Sequence, residues 1–170
     1  MVAAFLDLLE DGTLRPTARQ VAERAGVSLR SVFQHFADLE SLFAEVAQRQ
    51  IQRLQDLWPA PPANAPYPSR LAMFVAQRSR ILEAISPVRR AAVLQEPFSE
   101  VVAQRLKWVR DAAQAEVATT FASEIASRAQ RDREGLLAAL DVTTNWGTWE
   151  TLRRQHGMSQ EEGERTMSRM

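Results

Sequence analysis

Residues 17–36, TARQVAERAGVSLRSVFQHF, contain the pattern that decides the fold of this chain. Thr17 followed three residues later by Gln20 is a capping-box pattern, which starts a helix. That helix is short, because Gly26 permits the positive φ of a sharp turn. Ser28 then caps a second helix. Two short helices joined by a glycine-containing turn are typical of a helix-turn-helix unit. The apolar residues predicted to lie inside it are Val21, Ala22, Ala25, Val27, Val32 and Phe36.

The second helix of this unit carries long and polar side chains on its other side. The residues predicted to point outward are Leu29, Arg30, Ser31, Gln34 and His35. Such side chains contact base edges and phosphates when the helix lies in the major groove of DNA. The same spacing also suits a helical hairpin that serves only packing, so spacing alone leaves both hypotheses open.

The flanking residues make the pattern more specific. An apolar stripe near the N-terminus stops at Asp11 and Gly12, and Asp38 opens another helix directly after the unit. Residues 22–46, AERAGVSLRSVFQHFADLESLFAEV, resemble the signature of the TetR family of transcriptional regulators, whose turn reads A-x-x-A-G-V-S. The resemblance is strongest over residues 1–57. It implies an all-α fold, with an N-terminal three-helix head followed by a helical-bundle body.

The resemblance also implies roles for individual residues of the head. Thr17 and Ser28 match phosphate-holding positions, and His35 matches a phosphate-contacting position. Two positions depart from the family pattern: Phe33 stands where tyrosine is common, and Leu39 stands where a phosphate-contacting lysine is common. The DNA-binding residues expected on this basis are Thr17, Arg19, Ser28, Leu29, Arg30, Ser31, Phe33, Gln34 and His35.

Charge argues for modest DNA affinity and leaves a second function class open. The whole chain has a formal net charge of zero, and residues 1–57 hold six arginines and eight acidic residues. Affinity for DNA grows with the number of phosphates that a protein neutralises. Helical patterns run into both ends of the chain without caps, so we expect further residues there; a basic arm among those upstream would raise the DNA affinity. The alternative is a helical small-molecule or protein-binding module that retains the head without binding DNA.

The remainder of the chain also reads as helical. A helix running to Leu57 and Trp58 is predicted to end at Pro59, followed by a proline-rich loop over 58–68. A ligand-binding and dimerisation domain then occupies 69–170. Its first helix is predicted to begin at an N-cap at Ser69, a short segment at Ser86 and Pro87, and a long helix at Pro97. A break is predicted within 118–133. One long helix then runs from Leu136 through Leu152 and ends at Gly157, and a capping box at Ser159 and Glu162 starts the last helix.

Aromatic residues are frequent in this second part, and the family resemblance implies an effector pocket there. Such pockets are mostly apolar with a few polar groups, so we expect an apolar or aromatic effector. The spacing does not show which side chains converge, and a plain helix-bundle core is the simpler reading of each aromatic. The candidate pocket residues are Met73, Phe74, Arg78, Phe98, Trp108, Asn145, Trp146 and Trp149.

Several function classes are excluded by composition and motifs. The chain has no cysteine, which excludes disulfide scaffolds, thiol nucleophiles and zinc fingers. Its two histidines have no metal-site spacing, and no glycine-rich phosphate loop or nucleophile elbow occurs. No secretory signal and no apolar run of membrane-spanning length are visible. We therefore expect a cytoplasmic protein that is not an enzyme and has no cofactor, no metal, no catalytic residues and no membrane partner.

The sequence thus predicts a ligand-responsive, sequence-specific transcriptional regulator, most simply a repressor that a small effector releases from a palindromic operator. A homodimer is predicted through the C-terminal helices, because apolar residues lie on more than one side of them. Gly147 is expected to allow a close approach of two backbones there. The residues expected in this interface are Leu136, Leu137, Leu140, Val142, Trp146, Trp149, Leu152, Met158, Met167 and Met170.

Overall fold

The computed structural model describes residues 1–54, 61, 62 and 64–170, and these residues form helices and no strand. The predicted all-α fold is confirmed. In chain order the helices are α1 (Val2–Glu10), α2 (Ala18–Ala25), α3 (Leu29–His35), α4 (Leu39–Leu54), α5 (Tyr67–Gln95), α6 (Glu100–Thr120), α7 (Ala122–Ala126), α8 (Gln130–Thr144), α9 (Trp146–Glu150), a π-helix (Thr151–Gln155) and α10 (Gln160–Met167). Among the described residues, no helix combines the length and the hydropathy needed to cross a membrane.

The chain forms two compact units. The first unit combines the N-terminal part of the chain, described as far as Leu54, with Ile85–Leu106. The second unit combines the described residues from 61 to Ala84 with Lys107–Met170. The predicted boundary at the proline-rich loop differs from this division, because Ile85–Leu106 belongs to the first unit. The predicted helix end at Leu57, Trp58 and Pro59 lies outside the described residues.

The core of the first unit is built by α1 to α4 together with parts of α5 and α6. Phe5 of α1 packs against Phe43 of α4, with ring centroids 5.9 Å apart. Glu40 and Gln48 of α4 accept hydrogen bonds from Ser99 and Arg105, so polar contacts also join these segments. The buried apolar cluster contains Val2, Phe5, Leu6, Leu8, Leu9, Ala18, Val21, Ala22, Val32, Leu42, Phe43, Val46, Val88, Ala91, Ala92, Val102 and Leu106.

The second unit has an aromatic core with a polar partner for its largest ring. Trp149 is fully buried, and its indole N–H donates to Glu83 at 3.0 Å. Arg153 also donates to Glu83, at 3.0 and 2.7 Å, so one carboxylate holds both side chains. An added Cβ on Gly163 would lie 3.0 Å from the Trp149 ring, so α10 approaches this ring where it carries a glycine. The capping box predicted at the start of α10 is present, since Ser159 accepts from the N–H of Glu162 at 3.2 Å.

Three helix boundaries predicted after the proline-rich loop are wrong. Pro87 lies inside α5 instead of starting a segment after Ser86. The helix predicted to open at Pro97 begins at Glu100, because Ser99 accepts the N–H of Val102 at 3.2 Å. The helix expected at Ser69 begins at Tyr67.

The long helix predicted from Leu136 through Leu152 is interrupted. α8 ends at Thr144, and the side chain of Asn145 caps α9 by accepting the N–H of Thr148 at 3.0 Å. Gly147 therefore lies in the first turn of a new helix, where an added Cβ would meet Asn145 Oδ1 at 3.3 Å. A π-helix then follows α9. The predicted break within 118–133 is confirmed, since α6 ends at Thr120 and α8 begins at Gln130.

Candidate nucleic-acid interface

The turn between α2 and α3 is fixed by its backbone. Gly26 has φ +66°, a left-handed conformation that glycine adopts without strain. Its N–H donates to the Glu23 carbonyl at 3.2 Å, and the N–H of Val27 donates to the Ala22 carbonyl at 3.0 Å. This pair of bonds is the Schellman motif, which satisfies the last carbonyls of a helix. The turn therefore holds α3 in one direction relative to α2.

Two hydroxyl side chains cap these helices, and their remaining hydrogen-bonding capacity differs. Thr17 Oγ1 accepts the N–H of Gln20 at 3.2 Å and donates its own proton to Gln20 Oε1 at 2.9 Å. Ser28 Oγ accepts the N–H of Ser31 at 3.1 Å, and no described residue takes the Ser28 proton. A phosphate oxygen is an acceptor, so Ser28 has a proton to offer it while the Thr17 proton is already used.

The outward side of α3 is free of packing. Val32 is its buried residue, and Ser31 is half-buried. The predicted outward residues Leu29, Arg30, Gln34 and His35 are all exposed, as is Phe33. Long hydrogen-bonding side chains on one exposed helix face are what major-groove recognition requires.

His35 has one ring nitrogen committed within α3. Its Nδ1 lies 2.9 Å from the carbonyl oxygen of Ser31. A carbonyl oxygen only accepts, so Nδ1 carries the hydrogen in this contact. Nε2 is then a bare acceptor in the neutral ring, and it donates to a phosphate only when the ring is protonated. A hydrogen bond from His35 to a phosphate oxygen therefore requires hydrogens on both ring nitrogens.

The arginines of the first unit fall into paired and unpaired groups. Arg24 pairs with Asp11 at 2.6 Å, and Arg49 pairs with Glu45 at 3.2 Å. Arg19 and Arg30 are exposed and form no ion pair with any described residue. Of the residues from 15 to 36, four are arginines and one is acidic, so the surface that contains α2 and α3 is locally basic although the whole segment 1–57 is not.

Two apolar residues in this region, Val27 and Leu39, differ in burial. Val27 was expected to fill the space between the helices, but it is 38% exposed, because the backbone bonds of the turn close the gap. Leu39, which replaces the expected lysine, packs against the core cluster of the first unit. At this position burial takes the place of a phosphate contact.

The candidate effector-pocket residues are dispersed. Phe74 and Arg78 are buried in the second unit and in direct contact, with the guanidinium carbon 4.8 Å from the ring centroid. Trp149 is buried against Glu83, and Asn145 and Trp146 are half-buried. Met73 and Trp108 are exposed. Phe98 belongs to the first unit, whereas the other candidates belong to the second.

A polar seam beside Phe74 was not anticipated from the sequence. Arg78 pairs with Glu116 at 2.9 Å and Arg70 pairs with Glu124, which joins α5 to the segment around the end of α6. Burial lowers the pKa of the Arg78 guanidinium, while the carboxylates of Glu116 and Asp141 act in the opposite direction. The two arginines are eight residues apart, and so are the two glutamates. In antiparallel helices this equal spacing brings both ion pairs into register, so it is the sequence signal that predicts them.

Several side-chain polar atoms in this seam are buried without a hydrogen bond to any described residue. Among them are Gln77 Oε1, Arg78 Nε and Thr120 Oγ1. Gln77 donates to Glu116 at 3.1 Å, and Arg78 contacts the same carboxylate, so the first two of these atoms belong to neighbouring side chains. Buried polar atoms are nearly always satisfied in native proteins, so this place calls for a bound water or a polar ligand group.

Comparison with known proteins gives one informative match. No protein-family model and no curated protein sequence matches the chain significantly. Among solved structures, the chain is similar to a transcriptional regulator from Rhodococcus sp. Rha1, with a TM-score of 0.74 over 98% of this chain and 89% of that chain. The two share 19% sequence identity. This likeness shows that the chain has the fold of that regulator.

Proposed function

We propose that the protein is a sequence-specific DNA-binding transcriptional regulator of the TetR type. The observation that carries the proposal is the exposed face of α3, which presents Arg30, Gln34 and His35 beyond a turn held by a Schellman motif. The fold shared with a transcriptional regulator supports it. The alternative, a helical binding module without DNA affinity, is the outcome that the experiment below is designed to detect.

The side chains of α3 divide by the part of DNA that they suit. A guanidinium such as that of Arg30 pairs with the two acceptors of guanine, and the amide of Gln34 pairs with adenine. Ser28 and protonated His35 offer donors to phosphate oxygens, which position the protein without reading sequence. In this proposal Arg30 and Gln34 supply specificity, and Ser28 and His35 supply register on the duplex.

We propose that the protein binds a palindromic DNA site as a homodimer, with α8 in the interface between the two copies. Several of the predicted interface residues already pack within their own chain. They are the half-buried Leu136, Leu137 and Leu140 and the buried Trp149, Leu152 and Met167. From residue 135 onward, the exposed residues of α8 are Gly135, Ala138, Ala139 and Val142. These residues recur at three- and four-residue steps, which suits close packing against a second copy of the helix.

We propose that the protein is a repressor that an effector releases from DNA. The effector binds the second unit beside Phe74. The buried ring supplies an apolar contact, and the unsatisfied atoms of Gln77, Arg78 and Thr120 supply polar contacts. The effector class is therefore a largely apolar molecule with at least one polar group. Coupling between an effector and DNA is typically ~1–3 kcal/mol.

Fluorescence anisotropy with two labelled duplexes tests the proposed function. One duplex is the region upstream of the gene, and the other is a scrambled sequence of the same composition. The expected result is a preference for the upstream duplex that Arg30→Ala reduces and Arg169→Ala, at an exposed arginine in the second unit, leaves unchanged. Equal affinity for both duplexes at two salt concentrations contradicts the proposal, and no binding to either duplex favours the binding module.

A further inference from the structure

The first unit contains an open cleft that the proposed DNA-binding and effector sites do not use. Its volume is about 480 Å³, within the range of small-molecule sites. Three separated stretches line it: the loop between α1 and α2, the first turn of α4, and the junction of α5 with α6. The lining residues are Arg15, Glu40, Leu94, Gln95, Phe98 and Ser99.

Two of the lining residues, Phe98 and Leu94, give the cleft an exposed apolar surface. Phe98 is 84% exposed and Leu94 is 40% exposed. The N–H groups of Phe98 and Ser99 donate to the Gln95 carbonyl at 2.9 and 3.0 Å, so the junction that carries the ring is an ordered turn. Phe98 therefore presents an aromatic ring from a fixed backbone turn, and such a ring offers a large apolar contact area to another molecule.

The lining also carries two opposite charges, Arg15 and Glu40, that form no ion pair with each other. Arg15 is exposed and forms no ion pair with any described residue. Glu40 accepts a hydrogen bond from the Ser99 hydroxyl and forms no ion pair with a described residue. Gln95 donates from Nε2 to the Ala91 carbonyl at 3.3 Å, which leaves its amide oxygen as an acceptor. The cleft therefore offers a cationic donor, an anionic acceptor and a neutral acceptor beside an apolar wall.

We propose that this cleft binds a small dipolar carboxylic acid with one apolar side chain, of which an apolar α-amino acid is the simplest form. The carboxylate pairs with Arg15, the ammonium donates to Glu40 or Gln95, and the side chain packs on Phe98 and Leu94. A plain carboxylate would meet the charge of Glu40, and a plain amine would leave Arg15 without a counter-charge. A charge-assisted hydrogen bond at each end is what distinguishes the dipolar ligand.

A series of three related compounds tests this proposal by NMR titration of the full chain. The compounds are L-phenylalanine, 3-phenylpropionate, which lacks the ammonium, and phenethylamine, which lacks the carboxylate. L-Phenylalanine is expected to shift the Gln95 side-chain amide and the amides around Phe98, with an affinity roughly three- to tenfold above that of either analogue. Equal affinity of all three compounds, or no shift at millimolar concentration, overturns the proposal.

Variants identify the contacts, and they are expected to fold because the altered side chains are exposed. Arg15→Gln should weaken L-phenylalanine roughly three- to tenfold and leave phenethylamine unchanged. Phe98→Ala should weaken all three compounds, and Arg169→Gln in the second unit should change none. L-Phenylalanine binding that survives both Arg15→Gln and Phe98→Ala, with thermal unfolding unchanged, overturns the assignment of the cleft. The proposal does not depend on DNA binding, so its failure and that of the proposed function are distinguishable.

Discussion

Arg30 extends from α3 two residues after the Ser28 cap, exposed and without an ion pair among the described residues. We expect Arg30→Ala to lower operator affinity by ~1–3 kcal/mol, because a guanidinium paired with guanine contributes that much discrimination. Affinity for random DNA should fall less, since that binding depends on phosphates. Competition anisotropy with operator and random duplexes measures both quantities. An equal loss on both duplexes would make Arg30 a phosphate contact.

His35 should behave in the opposite way. Because its Nδ1 is used by the Ser31 carbonyl, the protonated ring has one remaining donor, Nε2, and that donor suits a phosphate. We expect His35→Ala to weaken operator and random DNA by the same factor. The slope of log affinity against log salt should change by at most about one unit. A loss confined to the operator would show that His35 reads a base.

Asp38 couples the start of α4 to pH. Hydrogen bonds from the backbone and side chain of Ser41 lower the pKa of its carboxyl. Because the folded pKa lies below the unfolded one, this stabilisation is fully present above the unfolded pKa and is lost as pH falls through the folded pKa. Asp38→Asn keeps a capping acceptor but removes the titration. Chemical denaturation of both proteins from neutral to acid pH should show a smaller acid loss in the variant, and identical pH profiles would contradict this.

The residues that sequence reasoning predicted correctly are those whose role depends on near neighbours. Thr17 and Ser159 cap helices because the matching Gln20 and Glu162 stand three residues later. Val27 was predicted wrongly, because hydrophobicity indicated burial while the Schellman bonds had already closed the turn. A sequence does not contain interatomic distances. It therefore could not predict that the hydroxyl proton of Ser28 stays available or which ring nitrogen of His35 bonds to the Ser31 carbonyl.

At the scale of elements, the sequence misplaced boundaries where distant packing outweighs local preference. Proline inside a helix costs about 3 kcal/mol, so Pro87 indicated a new start. α5 nevertheless continues, because Val88, Ala91 and Ala92 directly beyond it are buried in the first unit. Asn145 shows the reverse, since a local side-chain cap interrupts a stretch whose apolar periodicity predicted one helix.

Removing one member of the Arg78–Glu116 pair should cost more stability than removing both members together. Arg78→Met leaves the Glu116 carboxylate buried without its partner, which costs about 3–5 kcal/mol, whereas replacing both residues by apolar ones costs much less. Double-mutant denaturation cycles measure this coupling. The exposed Arg49–Glu45 pair is the matched control, because Arg49→Met should cost about 0.5 kcal/mol or less. Equal costs at the two sites would mean that the Arg78 pair is hydrated.

At the scale of the whole molecule, the exposed face of α8 predicts the oligomeric state. Val142 is 57% exposed within the proposed interface, and Val101, 60% exposed in the first unit, is its matched control. We expect light scattering to give twice the chain mass of 19.1 kDa for the wild type and for Val101→Glu. Val142→Glu should give a folded monomer, because the interface would bury its charge. A dimeric Val142→Glu variant would place the interface elsewhere.

The helical class and the helix-turn-helix unit were predictable because they depend on local patterns, and the division of the chain was not. Residues 85–106 join the first unit through contacts with helices more than forty positions away, such as Glu40 with Ser99. The Arg78 seam likewise needs the pairing of α5 with α6 to be known. Phe98, assigned to the effector pocket from its aromatic character, lies in the first unit for the same reason.

Selection from a library of random duplexes tests the central claim, that the exposed face of α3 reads DNA sequence in a dimer. The wild-type chain is incubated with the library at physiological salt, and bound duplexes are amplified and sequenced over several rounds. The account predicts enrichment of an inverted repeat whose half-sites are separated by a whole number of helical turns. Arg30→Ala should recover the repeat with a relaxed base at one position of each half-site. A library that remains random after selection with the folded wild-type protein would contradict the account.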